Sequence, residues 1–217
     1  MKLKKTWGTL LVVLIISLSI HSQKIVDYFV DMPLSVMPTL ASSYRVELIE
    51  NYQTQGKDTL ENMFGSPVKL LTLDTVNQHI SVQATPNARF EMKIFRHEKD
   101  TVLGIINTVC APICSSYVQF YDTRWKKLRL ELPEIRLDQW LKKTNTEEQN
   151  EFVQSNVRSN FIELRFAEDG GIQAKNNSLE FLGVEDKIAL SPLFDNEYVL
   201  LYANPLHELK NTSTPNP

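Results

Sequence analysis

The sequence predicts an α+β fold, an antiparallel β-meander packed on helices. Three observations carry that expectation. Residues Val102 to Lys126 form two β-rich arms around the short tip Cys110-Ala-Pro-Ile-Cys114. Three further runs rich in β-branched and aromatic residues precede them, separated by turn-forming clusters. A stretch of helical periodicity, Leu40 to Tyr52, comes before all of these. Helix followed by strands recurs in residues 135–203, so two helix-then-sheet lobes in tandem compete with one continuous α+β domain.

The arms are read first because they are the clearest. Val118 and Phe120 alternate with Tyr117, Gln119 and Tyr121, the period of a half-buried strand. Ala111-Pro112-Ile113 is a three-residue loop, and Pro112 sits where no ladder donor is needed. Cys110 and Cys114 then face each other at the strand ends. Cross-strand Cβ atoms are about 4.5–5.5 Å apart, close to disulfide distance. A structural disulfide that fixes register is therefore expected. A redox pair is the competing reading, but such centres use C-x-x-C at a helix N-terminus, where the dipole lowers a thiol pKa.

The chain opens with a signal-peptide pattern over residues 1–22. Lys2, Lys4 and Lys5 form the basic region and Thr9 to Ile20 the apolar core, with cleavage expected near Ser22. That core is short of the roughly 20 residues a membrane span needs. No cysteine follows it, so a lipid anchor is not expected. Export makes an oxidised cysteine pair the natural state. Removing residues 1–22 leaves 20 basic against 26 acidic side chains, a net charge of about −6. That balance argues against nucleic acid or anionic lipid as the main partner. The remaining length of about 190 residues is enough to bury a core.

Residues 23–132 are expected to form a helix plus a five-stranded antiparallel sheet. Lys24 to Met37 reads as a lead-in punctuated by Pro33 and Pro38. A helix follows from Thr39 or Ser43 to Gln55, with Leu40, Tyr44, Leu48, Ile49 and Tyr52 on its core face. Arg45, Glu47 and Glu50 lie off that face, and Gly56 ends the helix. Strands follow at Val68–Leu73, His79–Gln83 and Phe90–Phe95, then the two arms of the cysteine hairpin. Residues 133–205 read as short helices plus a smaller antiparallel sheet. The helices are Ile135–Lys143 and Glu147–Gln154, the latter with a Thr146/Gln149 capping box. Strands Phe161–Phe166 and Ile172–Ala174 meet at Glu168-Asp169-Gly170-Gly171; Leu179–Leu182 and Glu197–Ala203 complete the sheet. Residues 206–217 read as a disordered tail.

Three segments, PTLxxSYRxELIENY from Pro38, ENMFGSPVKLLTLD from Glu61 and TVCAPICSSYVQFYDTRWKKL from Thr108, resemble a family of small exported proteins from Bacteroides-type bacteria. That family is known only as domain of unknown function 3256. The resemblance covers nearly the whole mature chain and implies a periplasmic or surface α+β protein. It supplies no catalytic residues.

The motifs that carry chemistry elsewhere are incomplete here. Ser66-Pro67-Val68-Lys69 fits S-x-x-K, but β-forming residues follow the serine and neither S-D-N nor K-T-G occurs. His79, His97 and His207 lack ligand-like spacing, and phosphate-cradling glycine loops are missing. No metal and no cofactor is expected. Arg124, Trp125, Lys126 and Lys127 interleave an aromatic with cations, and together with Trp140 they form the candidate binding surface. The competing account packs the tryptophans inside and leaves the cations solvated. The function expected is a non-catalytic exported envelope protein, soluble and without a membrane span, that binds a protein, peptide or glycan. The alternatives are a hydrolase with a dispersed Asp/Glu site and, last, a thiol oxidoreductase.

Overall fold

A computed structural model describes residues 24–97, 100–130, 134–168, 170–195 and 198–202. The expected signal segment, residues 1–22, and the tail 206–217 lie outside them, as does His207. Among the described residues, two antiparallel sheets and four α-helices make up the fold.

The large sheet is a seven-stranded meander in chain order: β1 (Thr59–Glu61), β2 (Pro67–Asp74), β3 (His79–Thr85), β4 (Ala88–His97), β5 (Asp100–Cys110), β6 (Cys114–Tyr121) and β7 (Lys127–Leu128). The five expected strands are β2 to β6. Two short edge strands, β1 and β7, extend them. Disulfide-bonded Cys110 and Cys114 face each other at the end of the β5–β6 ladder, in the register expected for the hairpin. The loop they close is short, so little chain entropy is removed from the unfolded state. Cys110→Ser with Cys114→Ser therefore keeps the fold and lowers unfolding free energy by about 1–2 kcal/mol, measurable by urea denaturation.

One face of this sheet is covered by α1 (Lys24–Asp31) and α2 (Ser42–Gln55). Ile25, Phe29, Leu40, Leu48 and Ile49 from this helical segment pack with Val68, Ile80, Phe90, Met92 and Leu103 from the strands. The lead-in thus contains a helix, correcting the expectation for residues 24–37. Ile25, Phe29 and Met32 are spaced one turn apart and supply its buried face. α2 begins at Ser42 without a side-chain cap: Ser42 Oγ instead donates to Val30 O, 3.0 Å away. Gly56 ends α2 in the left-handed conformation (φ 67°), donating to the carbonyls of the last turn.

Arg45 is the largest departure inside α2. Expected off the core face, it is 1% exposed, and its Nη2 donates to Val30 O (3.1 Å) and to Met32 O. Those carbonyls end α1, where a cation meets the negative end of the helix dipole. Burial pulls the guanidinium down from its ordinary pKa, an effect Asp31 partly offsets. Arg45→Ala leaves both carbonyls without that donor. It is expected to cost about 1.5–3 kcal/mol, read as a lower melting temperature.

The other face of the large sheet receives the small one, ordered β10 (Tyr198–Tyr202), β9 (Ile172–Asn176), β8 (Ile162–Phe166). Ile162, Leu164, Phe166, Ile172 and Ala174 share one core with Phe95, Val102, Ile106 and Phe120. The α+β fold thus has a helix–sheet–sheet layering, with the small sheet packed on β4, β5 and β6. β8 and β9 form the hairpin expected around Gly170, which has φ 91°. Free backbone donors on β8 are taken up by the large sheet: Leu164 N donates to Ser116 Oγ (2.9 Å) and Phe166 N to Glu91 Oε2 (3.3 Å). Side chains thereby cover an edge that would otherwise be open.

In the chain between the two sheets, α3 (Glu147–Asn156) begins with the expected capping box, Thr146 Oγ1 accepting from Gln149 N and Gln149 Oε1 from Thr146 N. The helix expected over Ile135–Lys143 shrinks to a 3-10 turn, Leu137–Trp140. Leu179–Leu182, expected as a strand, is also a 3-10 turn (Ser178–Phe181), and α4 (Val184–Leu190) follows it. Asn176 Oδ1 accepts from Ser178 N and bends the chain there, ending the strand pattern.

Candidate binding groove at the open edge of β6

β6 donates and accepts on two sides, and among the described residues only one of them is filled along its length. Cys110 N bonds to Asn87 O, so even-numbered residues of β5 point toward β4. Odd-numbered residues of β5 therefore meet β6, pairing Val109 with Ser115, Asn107 with Tyr117 and Ile105 with Gln119. The backbone groups of Cys114, Ser116, Val118 and Phe120 face away from β5. Asn177 Nδ2 donates to Cys114 O at 3.1 Å, and β7 pairs with Phe120 and Tyr121 only. Ser116 and Val118 are left with four outward backbone groups that no described strand pairs.

β7 leaves β6 after Leu128, and the wedge between them is a groove of about 500 Å³. Its walls alternate. Leu128, opposite Phe120, and Leu130 turn to the inter-sheet core, whereas Lys127, opposite Tyr121, and Arg129 are exposed on the helix-side rim. Val118 supplies the apolar wall on β6, and Phe120, 2% exposed, lies buried behind it. One rim is cationic and one wall is apolar.

The turn that launches β7 is tied by Asp122. Its Oδ1 accepts from Arg124 N (2.8 Å) and Lys126 N (2.9 Å), while Trp125 N bonds to Asp122 O (3.0 Å). The bonds from Lys126 and Arg124 hold this half-buried carboxyl below its ordinary pKa. Trp125 adopts φ 64°, unusual for a bulky side chain, and packs between Tyr28 (6.5 Å between ring centroids) and Tyr121 (5.8 Å). It closes the helix-side core. Arg124, Lys126 and Lys127 are exposed around it.

The five residues singled out in the sequence therefore divide. Lys127 stands on the helix-side rim, Arg124 and Lys126 are exposed in the turn that launches β7, and Trp125 packs behind that turn. Trp140 does not belong: it is 1% exposed in the inter-sheet core, because the 3-10 turn swings its ring inward among Ile162, Phe120 and Ile172. Arg129, Val118, Leu128 and Leu130 were not singled out, although Lys127-Leu-Arg-Leu130 carries the period-two signal. Tyr198 lies under Arg165, whose guanidinium stacks 4.7 Å from its ring. The side chain of His97 lies outside the described residues.

A second polar region lies between the sheets. Arg89 Nε bonds to Glu91 Oε1 (3.0 Å), and Arg89 Nη2 bonds to Glu163 Oε1 on β8 (2.8 Å). Asn177 and Arg165 complete the surroundings of Glu163. Burial pushes the Glu163 carboxyl up, but the Arg89 and Asn177 hydrogen bonds and the Arg89 charge outweigh it and hold the pKa low. Alongside, a polar cleft of about 260 Å³ is lined by His79, Lys93, Asp74 and Phe166. Lys93 Nζ donates to Ala167 O, 3.0 Å away, and His79 Nε2 lies 3.4 Å from Glu91 Oε2. Asp74 is committed to its own turn, accepting from Val76 N, Asn77 N and Asn77 Nδ2; those bonds hold its pKa down. These charges tie β8 and the strand turns to the large sheet. Among the described residues no three His, Cys, Asp or Glu side chains gather as metal ligands, and no helix is long and apolar enough to cross a membrane.

Comparison with known proteins adds the fold and a family. The solved structure of a domain of an uncharacterized protein from Porphyromonas gingivalis W83 is similar with a TM-score of 0.67 at 19% identity, covering 81% of this chain and 91% of that one. At that identity the likeness extends to the fold alone. No curated protein matches. The family model described as "Protein of unknown function (DUF3256)" matches residues 17–204, and the chain belongs to that family.

Proposed function

We propose that this protein is a non-catalytic, exported module that binds a protein or peptide partner in the cell envelope through the β6–β7 groove. The observation that carries this reading is the open β6 edge beside an apolar wall and a cationic rim on a net acidic chain. The mutual pairing of Arg89, Glu91 and Glu163 supports it from the other side, since charges that satisfy one another hold layers together. Export rests on the basic and apolar pattern of residues 1–22.

A hydrolase is the second reading, and the His79–Glu91 approach in the polar cleft is what favours it. One experiment separates the two. The mature chain and its Lys127→Glu/Arg129→Glu variant are immobilised and exposed to envelope extract, and the same proteins are assayed against ester, peptide and glycoside substrates. The binding module yields a captured partner whose recovery falls at least about tenfold with the variant. Turnover abolished by His79→Ala, with capture unaffected by the rim variant, rejects it.

A further inference from the structure

The groove has a geometry more specific than a sticky patch. Continuing the Phe120–Leu128 register would place Leu130 opposite Val118, but β7 departs and that lane beside β6 is vacant among the described strands. The outward backbone groups of Ser116 and Val118 line it, two donors and two acceptors at strand spacing. Such groups are best satisfied by another extended backbone.

We propose that the lane accepts an extended segment of a partner protein as an added β-strand, and that this segment alternates acidic with apolar residues. The proposal rests on the binding-module reading and names what is bound. The alternation follows from the walls. A strand beside β6 turns every second side chain to the helix-side rim, where Lys127 and Arg129 stand, with Lys126 and Arg124 in the adjoining turn. The intervening side chains meet the partly buried Val118, Leu128 and Leu130. Between Asp122 and Leu130 four cations face a single carboxylate, although the whole chain is net negative. A basic strand is repelled by this rim. A second copy of the chain is disfavoured for the same reason, since pairing β6 with β6 brings two cationic rims together.

The test uses the mature chain and labelled acetyl-(Glu-Val)4-amide, followed by fluorescence anisotropy. The peptide should bind, and binding should weaken as salt rises. The (Lys-Val)4 peptide and the Lys127→Glu/Arg129→Glu variant should each lower affinity by at least about tenfold, with the variant's melting temperature unchanged. Methylating one alternate set of peptide amides should abolish binding and methylating the other set should leave it intact, because an added strand uses every second amide. If both methylated peptides bind like the parent, contact is by charge alone; strand addition is then wrong while the groove remains a binding surface. If the acidic peptide does not bind although the envelope partner is still captured through Lys127 and Arg129, the proposed ligand is wrong and the module stands. If both fail, both readings fall. Sedimentation showing a dimer dispersed by the rim variant would replace the partner strand with a second copy.

Discussion

Replacing Arg89 by alanine is expected to lower unfolding free energy by about 2–4 kcal/mol at neutral pH. Arg89 bridges two carboxylates carried by different sheets, Glu91 beside it on β4 and Glu163 on β8. Glu91 and Glu163 are 6% and 10% exposed, against 23% for Arg89. Removal strands two negative charges near each other out of water, a far larger effect than the loss of an exposed pair. Arg89→Lys should fall between, because an ammonium group keeps the charge but lacks the planar fork that reaches both carboxylates.

The pH dependence gives this prediction its sign. Glu163 has a folded pKa held below the ordinary glutamate value, so its contribution is complete above the unfolded pKa and disappears as pH falls through the folded one. Without Arg89 the carboxyl moves upward and that contribution is lost. The gap between wild type and Arg89→Ala should therefore be widest near neutrality and narrow in acid. Urea denaturation at neutral pH and below pH 4 measures it; a gap of equal size at both pH values rejects the ion pair as the cause.

This layer also shows where reading the sequence stops. Arg89, Glu91 and Lys93 alternate with Phe90, Met92 and Ile94, and local pattern assigns that polar row to solvent. The row is buried because a strand about seventy residues later returns to lie across it, and periodicity does not record that return. The five central strands, the capped α3 and the cysteine hairpin were legible because each is specified by neighbouring residues. α4 was not: Val184 and Ile188 are exposed, so it presents no inward stripe, and Leu190 alone anchors it. In the candidate groove, the cations were legible as a cluster. The vacant lane was not, since it depends on β7 departing from β6. Trp140 misled because an aromatic among polar residues looks the same whether its ring points in or out.

Gly104 marks a close approach of the two sheets, and enlarging it should have the second large effect. Its position on β5 lies opposite Lys93 and Phe120, directly beneath the tip of β8. A Cβ built there would stand 2.7 Å from Phe95 Cε2 and 3.0 Å from Phe166 Cζ. Neither ring swings away cheaply, because both are buried and packed against each other at 5.5 Å between centroids. Two terms oppose each other in Gly104→Ala. Alanine is favoured over glycine in a strand by about 0.5–1 kcal/mol, whereas overpacking costs about 1–3 kcal/mol, so the net is destabilising. Gly104→Val should exceed it and drive Phe166 off the large sheet, lowering the melting temperature by about 5–10 °C for a chain of this size. If contact with Phe166 is the cause, Phe166→Leu should absorb part of the loss. The double variant Gly104→Ala/Phe166→Leu should then be more stable than the sum of the single effects allows. Strict additivity in that cycle would place the strain elsewhere and remove Gly104 as the seat of inter-sheet docking.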